Sequence, residues 1–83
     1  MKKMYHVYVL KSKKDNNLYT GHTENIEKRI KEHNIGKVRS TSKRGPFVLV
    51  YKESFNTRSQ ARWRERDLKT AWGKKQLKSF LYS

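Results

Sequence analysis

The order of apolar and polar residues along the chain predicts three β-strands. Residues 5–10 are rich in β-branched and aromatic side chains, so we expect a central strand covered on both sides. Turn-forming residues separate it from a second strand at 18–22, and the two are predicted to form a hairpin in which Gly21 marks a bend or a close approach. The clearest strand is 47–51, with a predicted continuation to Phe55.

Capping residues mark where the predicted helices begin. Thr23 or Asn25 can cap a first helix that ends at residues 34–36. Thr57 and Gln60 form a capping-box signature for a second helix. The remaining predictions are a basic loop over 37–45 that Pro46 ends, the second helix over 58–70, and a third helix over 74–82 after a break at Gly73.

The second and third helices are amphipathic, so one face of each is predicted to be buried. Trp63 lies opposite the buried stripe of its helix, and we expect it to pack against the last helix rather than to serve as a base-stacking platform. The positions predicted to be buried are Ala61, Leu68 and either Ala71 or Trp72 in the second helix, with Leu77, Phe80 and Leu81 in the third.

These elements predict an α+β fold in which a small three-stranded antiparallel sheet is flanked by helices. We expect a single domain over residues 1–83, because the chain is too short for two. A domain of this length buries only about 60% of the surface that its unfolded chain exposes. With 34% of its residues hydrophobic and 34% charged, the chain has apolar material for one compact core.

Two of the predicted helices carry charged side chains on their own apolar stripe. Arg29 and His33 share an arc with Ile26 and Ile30, and Glu65 falls within the stripe of the second helix. Arg and Glu are seldom buried unless they are paired or functional. Either Arg29 and Glu65 form an ion pair that fixes helix packing, or both line a cleft on the sheet.

The charge balance is strongly basic. Twenty-one Lys and Arg residues against seven Asp and Glu give a net charge of +14, and a polyanionic partner would relieve the resulting self-repulsion. Nucleic acid is the commonest such partner, with a solubilising surface or an anionic membrane as alternatives. Phosphate contacts are expected from Lys37, Arg39, Lys43 and Arg44 of the basic loop, although a solvated basic loop would have the same composition.

The sequence also excludes several kinds of protein. It has no cysteine, which excludes disulfides, thiolate metal sites and a cysteine nucleophile and is typical of intracellular proteins. No segment has the roughly 18 to 20 apolar residues that a membrane-spanning helix needs. The apolar run 7–10 is closed by Lys11 without a signal-cleavage site, so we expect a cytoplasmic protein with no membrane association.

Two tyrosine motifs lie on the predicted hairpin. The segment 6–8 ends in Tyr8 and is followed, after ten intervening residues, by Tyr19-Thr20-Gly21. This pair resembles the two-part signature of the GIY-YIG nucleases. The family's helix arginine, the histidine or tyrosine one turn later and the metal-binding glutamate are matched by Arg29, His33 and Glu65.

The resemblance covers about residues 4–69, which is most of the chain. It is greatest to the short, stand-alone bacterial branch, the UPF0213-like proteins, which is related to the nuclease domain of the excision-repair protein UvrC. The departures are His6-Val7 for Gly-Ile before Tyr8, Thr20 for the usual Ile, and the lack of a clear Asn after the helix that carries Glu65.

The resemblance implies a role for each matched residue. Glu65 would hold a single Mg²⁺ (or Mn²⁺), and Arg29 would grip a non-bridging phosphate oxygen. Tyr19 would take the proton of the attacking water while Tyr8 orients that water, and His33 could itself be the base or hold a tyrosine in place. The candidate catalytic residues are therefore Tyr8, Tyr19, His22, Arg29, His33 and Glu65, with His22 supplying positive charge near the tyrosines.

Together, the resemblance and the charge predict a metal-dependent DNA endonuclease acting in repair, recombination or defence. DNA is the expected substrate, with branched and single-stranded forms among the candidates. Because so small a surface offers few base-specific contacts, we expect either selection by shape or strand or targeting by a protein partner. One rival is a non-catalytic nucleic-acid-binding module that keeps the fold and the basic surface. A second is an interaction protein that docks to acidic partners or ribosomal RNA.

Overall fold

The structure is a computed structural model that describes residues 3–82. None of the helices in this part of the chain is both long and apolar enough to cross a membrane. A short 3₁₀ turn at Arg39–Thr41 interrupts the basic loop, which was predicted without regular structure. The remaining elements are β1 (Tyr5–Ser12), β2 (Leu18–Thr23), α1 (Ile26–Asn34), β3 (Phe47–Phe55), α2 (Arg58–Lys69) and α3 (Ala71–Tyr82).

The sheet has three strands in the order β2-β1-β3, and both pairings are antiparallel. Tyr8 in the central strand pairs with Gly21 of β2 and with Lys52 of β3. The predicted hairpin, the central position of the first strand and the α+β class are therefore confirmed. Because side chains alternate along a strand, β1 supplies residues to both faces of the sheet.

The two faces of the sheet are covered by different helices. We call the side packed against α2 and α3 the helix-pair face; it holds an apolar core formed by Val7, Val9, Ala61, Leu68 and Leu77. The opposite side, which we call the α1 face, holds a second cluster. Its buried members are Tyr8, Leu10 and Phe47, with Tyr19, Ile26 and Ile30 packed around them.

Local capping explains where α1 and α2 begin. The side chain of Asn25 accepts a hydrogen bond from the backbone N–H of Lys28, so Asn25 rather than Thr23 is the N-cap of α1. Thr57 and Gln60 form the predicted capping box at the start of α2. Both helices therefore start at positions that the sequence identifies.

The start of α3 differs from the prediction. α3 begins at Ala71, and Gly73 lies inside it instead of forming the predicted break. The break is at Thr70, which has an extended backbone and whose hydroxyl accepts a hydrogen bond from Gly73 N–H. A Cβ at Gly73 would overlap the carbonyl oxygen of Asp67, so the glycine allows α2 and α3 to approach closely.

Part of the predicted buried stripe is also wrong. Ala61, Leu68 and Leu77 are buried as predicted, whereas Ala71 is exposed. The reason is that the chain turns at Thr70, so Ala71 and Trp72 belong to α3 rather than to α2. Trp72 is 64% exposed and Phe80 is 56% exposed, although Phe80 stacks on Tyr51 with ring centroids 5.9 Å apart.

Trp63 does not pack against the last helix as predicted. It is 69% exposed on the outer side of α2. Its ring is instead covered by the guanidinium of Arg66, whose Cζ lies 5.5 Å from the ring centroid. The position opposite the buried stripe was correct, but that side of α2 faces solvent.

Candidate active site

A buried hydrogen-bonded chain joins β1 to α1 and to the basic loop. Tyr8, which is 1% exposed, has its hydroxyl 2.9 Å from Nε2 of His33. The His33 Nδ1 lies 2.7 Å from Oγ1 of Thr41, whose hydroxyl donates to the carbonyl oxygen of Val38. Because the Thr41 hydrogen is used in that way, His33 Nδ1–H donates to Thr41 and the Tyr8 hydroxyl donates to Nε2.

Burial sets the protonation of both rings. Desolvation lowers the pKa of His33, and the nearby charge of Arg29 lowers it further. Desolvation also raises the pKa of Tyr8 to about 12, although the hydrogen bond from Arg29 opposes that shift. At neutral pH the structure therefore holds a neutral phenol against a neutral imidazole.

Arg29 lies one turn before His33 on α1 and contacts the same tyrosine. A hydrogen bond to Tyr8 is the main cause of the raised pKa of Arg29, and Glu32, with Oε1 3.4 Å from Nη1, also stabilises its charge. The guanidinium remains partly exposed. Arg29 is thus held by a buried residue while its charge faces solvent.

Gly21 allows the two tyrosines to share one region of the α1 face. A Cβ at this position would lie 2.6 Å from Oη of Tyr8 and 3.2 Å from Cε1 of Tyr19, so the predicted close approach at Gly21 is confirmed. The Tyr19 ring is 4.8 Å from the His33 ring and 6.3 Å from the Tyr8 ring. Tyr19 is half-buried, and within residues 3–82 its hydroxyl has no hydrogen-bond partner.

Glu65 belongs to a second contact group on α2. Its Oε1 lies 2.6 Å from His22 Nδ1 and its Oε2 lies 3.0 Å from Lys69 Nζ. Burial acts to raise the pKa of Glu65, but the hydrogen bonds from His22 and Lys69 outweigh burial and hold the pKa below its usual value. Arg29 and Glu65 do not form the ion pair that was one of the two alternatives from the sequence, because each has other partners.

A solvent-open hollow of about 350 Å³ connects the two groups. Arg29 lines it from the first group and His22 from the second, with Arg58 at the start of α2. The charge of Glu65 also contributes to the raised pKa of Tyr8. Tyr8, Tyr19, Arg29 and His33 thus form one cluster and His22 with Glu65 another, and no hydrogen bond within residues 3–82 joins Glu65 to the first cluster.

The donor set around Glu65 suits one kind of metal ion. Within the described residues no three His, Cys, Asp or Glu side chains are grouped so that they could hold a metal ion. A lone carboxylate beside an open hollow fits an ion such as Mg²⁺, which keeps several waters and takes one or two protein carboxylates. It does not fit a closed structural site, which needs about four protein ligands.

Three of the four predicted phosphate-binding residues are exposed, although Nζ of Lys37 also lies 4.0 Å from Oε2 of Glu32. Lys37, Arg39 and Lys43 have exposed side chains in the loop after α1. Arg44 differs, because its Nε lies 3.1 Å from Oδ2 of Asp15 and its side chain is partly buried. Arg44 therefore anchors the loop to the β1–β2 turn instead of facing solvent.

Thr41 is the site residue that sequence reasoning missed. It is fully buried in the 3₁₀ turn and holds Nδ1 of His33. The sequence carries no direct signal for this role, since Thr41 is one of several hydroxyl residues among basic ones. The only clue is chemical: an inward His33 has two ring nitrogens and needs two partners.

Comparison with known proteins shows which family the chain belongs to. A family model described as the GIY-YIG catalytic domain matches residues 4–78. The chain belongs to the GIY-YIG family. It is 48% identical to a UPF0213 protein of Staphylococcus haemolyticus over 89% of this chain and 90% of that protein. It is also 41% identical to a UPF0213 protein of Haloquadratum walsbyi over 84% of this chain and 79% of that one.

The fold has a solved counterpart. The solution NMR structure of a UPF0213 protein from Bacillus halodurans matches with a TM-score of 0.57 and 38% identity, over 93% of this chain and 84% of that one. The resemblance to a stand-alone GIY-YIG protein is therefore confirmed. The GIY-YIG domain implies, in general terms, a nuclease that acts on DNA with a divalent metal ion.

Proposed function

We propose that this GIY-YIG protein is a Mg²⁺- or Mn²⁺-dependent DNA endonuclease that hydrolyses phosphodiester bonds. The observation that carries the proposal is the position of Arg29. Its pKa is raised chiefly by the buried Tyr8 on one side, and it lines the solvent-open hollow shared with His22 on the other. A fixed guanidinium in an open hollow is a suitable binding site for a phosphate group.

Arg29 would bind a non-bridging oxygen of the phosphate that is cut. Its charge is permanent, and its direction is set by the buried chain of Tyr8, His33 and Thr41. A guanidinium held in this way stabilises the negative charge that grows on the phosphoryl oxygens. Tyr8 and His33 are accordingly positioning residues, because they are too deeply buried to touch DNA in this arrangement.

Tyr19 is the phenol that would meet the attacking water. It is half-buried, and its hydroxyl is not used by another residue of the described chain. As a phenolate, Tyr19 would take one proton from the water while the water oxygen bonds to phosphorus. The bond from phosphorus to the leaving oxygen breaks, and that oxygen departs with the bond electrons as an alkoxide that solvent protonates. The substitution Tyr19→Phe would remove the proton-accepting oxygen and keep the aromatic ring.

Glu65 would hold the metal ion, with His22 directing the carboxylate. When bound, such an ion neutralises charge on the phosphate and lowers the pKa of water. Lys69 now occupies Oε2 of Glu65 and would have to release it. The remaining donors to the ion would be waters and substrate oxygens.

The surface charge supports a polyanionic substrate. A net charge of +14 and the exposed Lys37, Arg39 and Lys43 favour DNA, and we propose branched or single-stranded forms because so small a surface favours selection by shape or strand. We place the protein in the cytoplasm as a single domain over 1–83, acting in repair, recombination or defence. A partner protein would supply targeting that so small a surface cannot.

The test compares purified wild type with Glu65→Gln on labelled single-stranded, duplex and branched DNA and on RNA, with Mg²⁺, with Mn²⁺ or with chelator. Glu27→Gln is the matched control, because Glu27 is an exposed acid on α1. We expect metal-dependent cutting that falls at least about 100-fold in Glu65→Gln and is unchanged in Glu27→Gln. Equal cutting by wild type and Glu65→Gln would contradict the proposed site.

Two other results would favour the rival functions. Tight binding to DNA without cutting under any metal condition would identify a nucleic-acid-binding module. Failure to bind any nucleic acid at low salt would point to an interaction protein, because a basic surface with free cations binds polyanions most strongly under those conditions.

A further inference from the structure

A larger hollow lies at the outer edge of β2. Its volume is about 540 Å³, and it is enclosed by residues 16–20 on one side and by the end of α2 with α3 on the other. β2 is an edge strand, so this side of it is not paired within the sheet. The volume is in the range of small-molecule binding sites, about 300–1,000 Å³.

The walls of this hollow combine three kinds of chemistry. The floor is apolar and contains Leu18, Leu68 and Leu77, two of which are fully buried. Amide and hydroxyl groups on the β2 side can form hydrogen bonds to a planar polar ring. The basic rim is formed by Lys69, Lys74 and Lys78, and the hydrogen-bonding groups are Asn16, Asn17 and Thr20.

The hollow has one lining residue in common with the candidate active site. Tyr19, the phenol assigned to the attacking water, is one of its lining residues. Lys69 also lines it and donates to Glu65, and Glu65 in turn contacts His22 of the smaller hollow. Glu65 lines neither hollow, but it contacts one residue of each, His22 of the smaller and Lys69 of the larger.

We propose that the larger hollow holds the base of the nucleotide next to the phosphate that is cut, while Lys74 and Lys78 bind the phosphates that flank that base. This inference rests on the proposed function and specifies its substrate. An apolar floor with hydrogen-bonding walls suits a nucleobase, and a lysine rim suits its phosphates. A base that is stacked and paired in a duplex cannot enter, so the strand is unpaired at this position.

The first experiment uses a mononucleotide as the probe. Thymidine 3′,5′-bisphosphate is titrated into the full chain, with chelator present, while NMR follows the methyl groups of the leucines. We expect shifts of Leu18, Leu68 and Leu77. In the variant Lys74→Ala/Lys78→Ala the affinity should fall at least about tenfold.

The matched control is Lys31→Ala/Lys75→Ala, which removes the same charge from exposed positions that do not line the hollow. We expect less than about a threefold change in its affinity. Equal loss in both double variants would overturn the proposal, as would shifts that map elsewhere. The same shifts and affinity with inorganic phosphate alone would also overturn it, because no base would then be held.

A second experiment links the hollow to DNA. In chelator, fluorescence anisotropy measures binding of a labelled single strand and of a blunt duplex of the same sequence. We expect the Lys74→Ala/Lys78→Ala variant to lose at least about tenfold more affinity for the single strand than for the duplex. Equal losses for both would contradict the requirement for an unpaired base.

These measurements separate the two proposals. Neither binding assay needs cleavage. If the hollow binds the bisphosphate but the protein never cuts DNA, the proposed base site stands and the proposed nuclease activity is rejected. Conversely, if cutting depends on Glu65 but nothing binds in the hollow, the proposed nuclease activity stands and the proposed base site is rejected.

Discussion

The two faces of one small sheet differ in what they bury. The helix-pair face buries aliphatic side chains such as Val7, Val9 and Leu68, whose packing needs no specific partner. The α1 face buries Tyr8 and His33 in a hydrogen-bonded chain. The free energy gained by burying apolar side chains is roughly proportional to the area buried, whereas a buried polar group is stable only if each of its hydrogen-bond partners is present. The first face therefore provides stability and the second fixes geometry, and substitutions should separate the two roles.

The largest expected effect is on the helix-pair face. Gly73→Ala places a Cβ against the backbone of Asp67, which no side-chain rotation can relieve. We expect the free energy of unfolding to fall by about 3 kcal/mol or more, measured by urea denaturation. Ser79→Ala, at an exposed position of the same helix, should change it by less than about 0.5 kcal/mol. An unchanged free energy of unfolding in Gly73→Ala would show that α2 and α3 do not pack this closely.

On the α1 face, Gly21→Ala should act on the reaction. Its Cβ would displace the hydroxyl of Tyr8 and with it the contact to His33. We expect at least about a 100-fold loss of DNA cutting, since a displacement of about 1 Å near a reacting group has effects of that size. Cleavage rates and the melting temperature should be measured together. A loss of cutting that only follows a loss of folded protein would abolish the contrast between the faces.

A smaller effect concerns pH. Burial holds the folded-state pKa of His33 below its ordinary value of 6.5, so unfolded chains bind more protons between those two values. The stability contributed by a neutral His33 is complete above pH 6.5 and declines as the pH falls below it. We expect the free energy of unfolding to decline from about pH 7 to pH 5 in wild type and to be flatter in His33→Gln.

His6→Gln is the control for that pH series. The pKa of His6 is also lowered, by burial and by the charge of Lys52, but His6 is more exposed and should contribute less. The pKa of Glu65 lies below its usual value of 4.5, so its contribution is lost only at lower pH. If the decline of the unfolding free energy with falling pH is unchanged in His33→Gln but absent in His6→Gln, the effect belongs to His6 and not to His33.

The smallest effect is expected for a polar pair on the helix-pair face. Arg64 Nε lies 2.7 Å from Oε2 of Glu53, and both side chains are partly exposed. Such surface pairs contribute about 0–1 kcal/mol, so Glu53→Gln should change the unfolding free energy by no more than that and leave cutting unchanged. A loss above about 2 kcal/mol would mean that this face also depends on a specific polar contact.

Local chemistry accounts for most of what the sequence predicted. Strand alternation and the capping box at Thr57 act over a few residues, so they survive in the fold. The predicted start of α3 was wrong, because the role of Gly73 depends on the distance between two helices and not on its neighbours in sequence. The exposure of Trp63 and Trp72 was missed for the same reason: periodicity identifies a face but not whether anything covers it.

The candidate site shows the same division. Helical spacing indicated that Arg29, His33 and Glu65 turn inward, and the family resemblance assigned them to one site. Spacing could not supply their partners. Thr41 on His33 and His22 on Glu65 come from segments brought together only by the tertiary fold.

The alternation along β1 has a consequence for misfolded chains. Because residues 7–10 supply the core and the site in turn, pairing β1 one residue out of register would press Tyr8 beneath α2 and leave valines facing α1. Such a chain would lose its hydrophobic core and the contact between Tyr8 and His33 in the same event. A molecule with β1 mispaired in this way therefore could not combine a stable core with an intact candidate site.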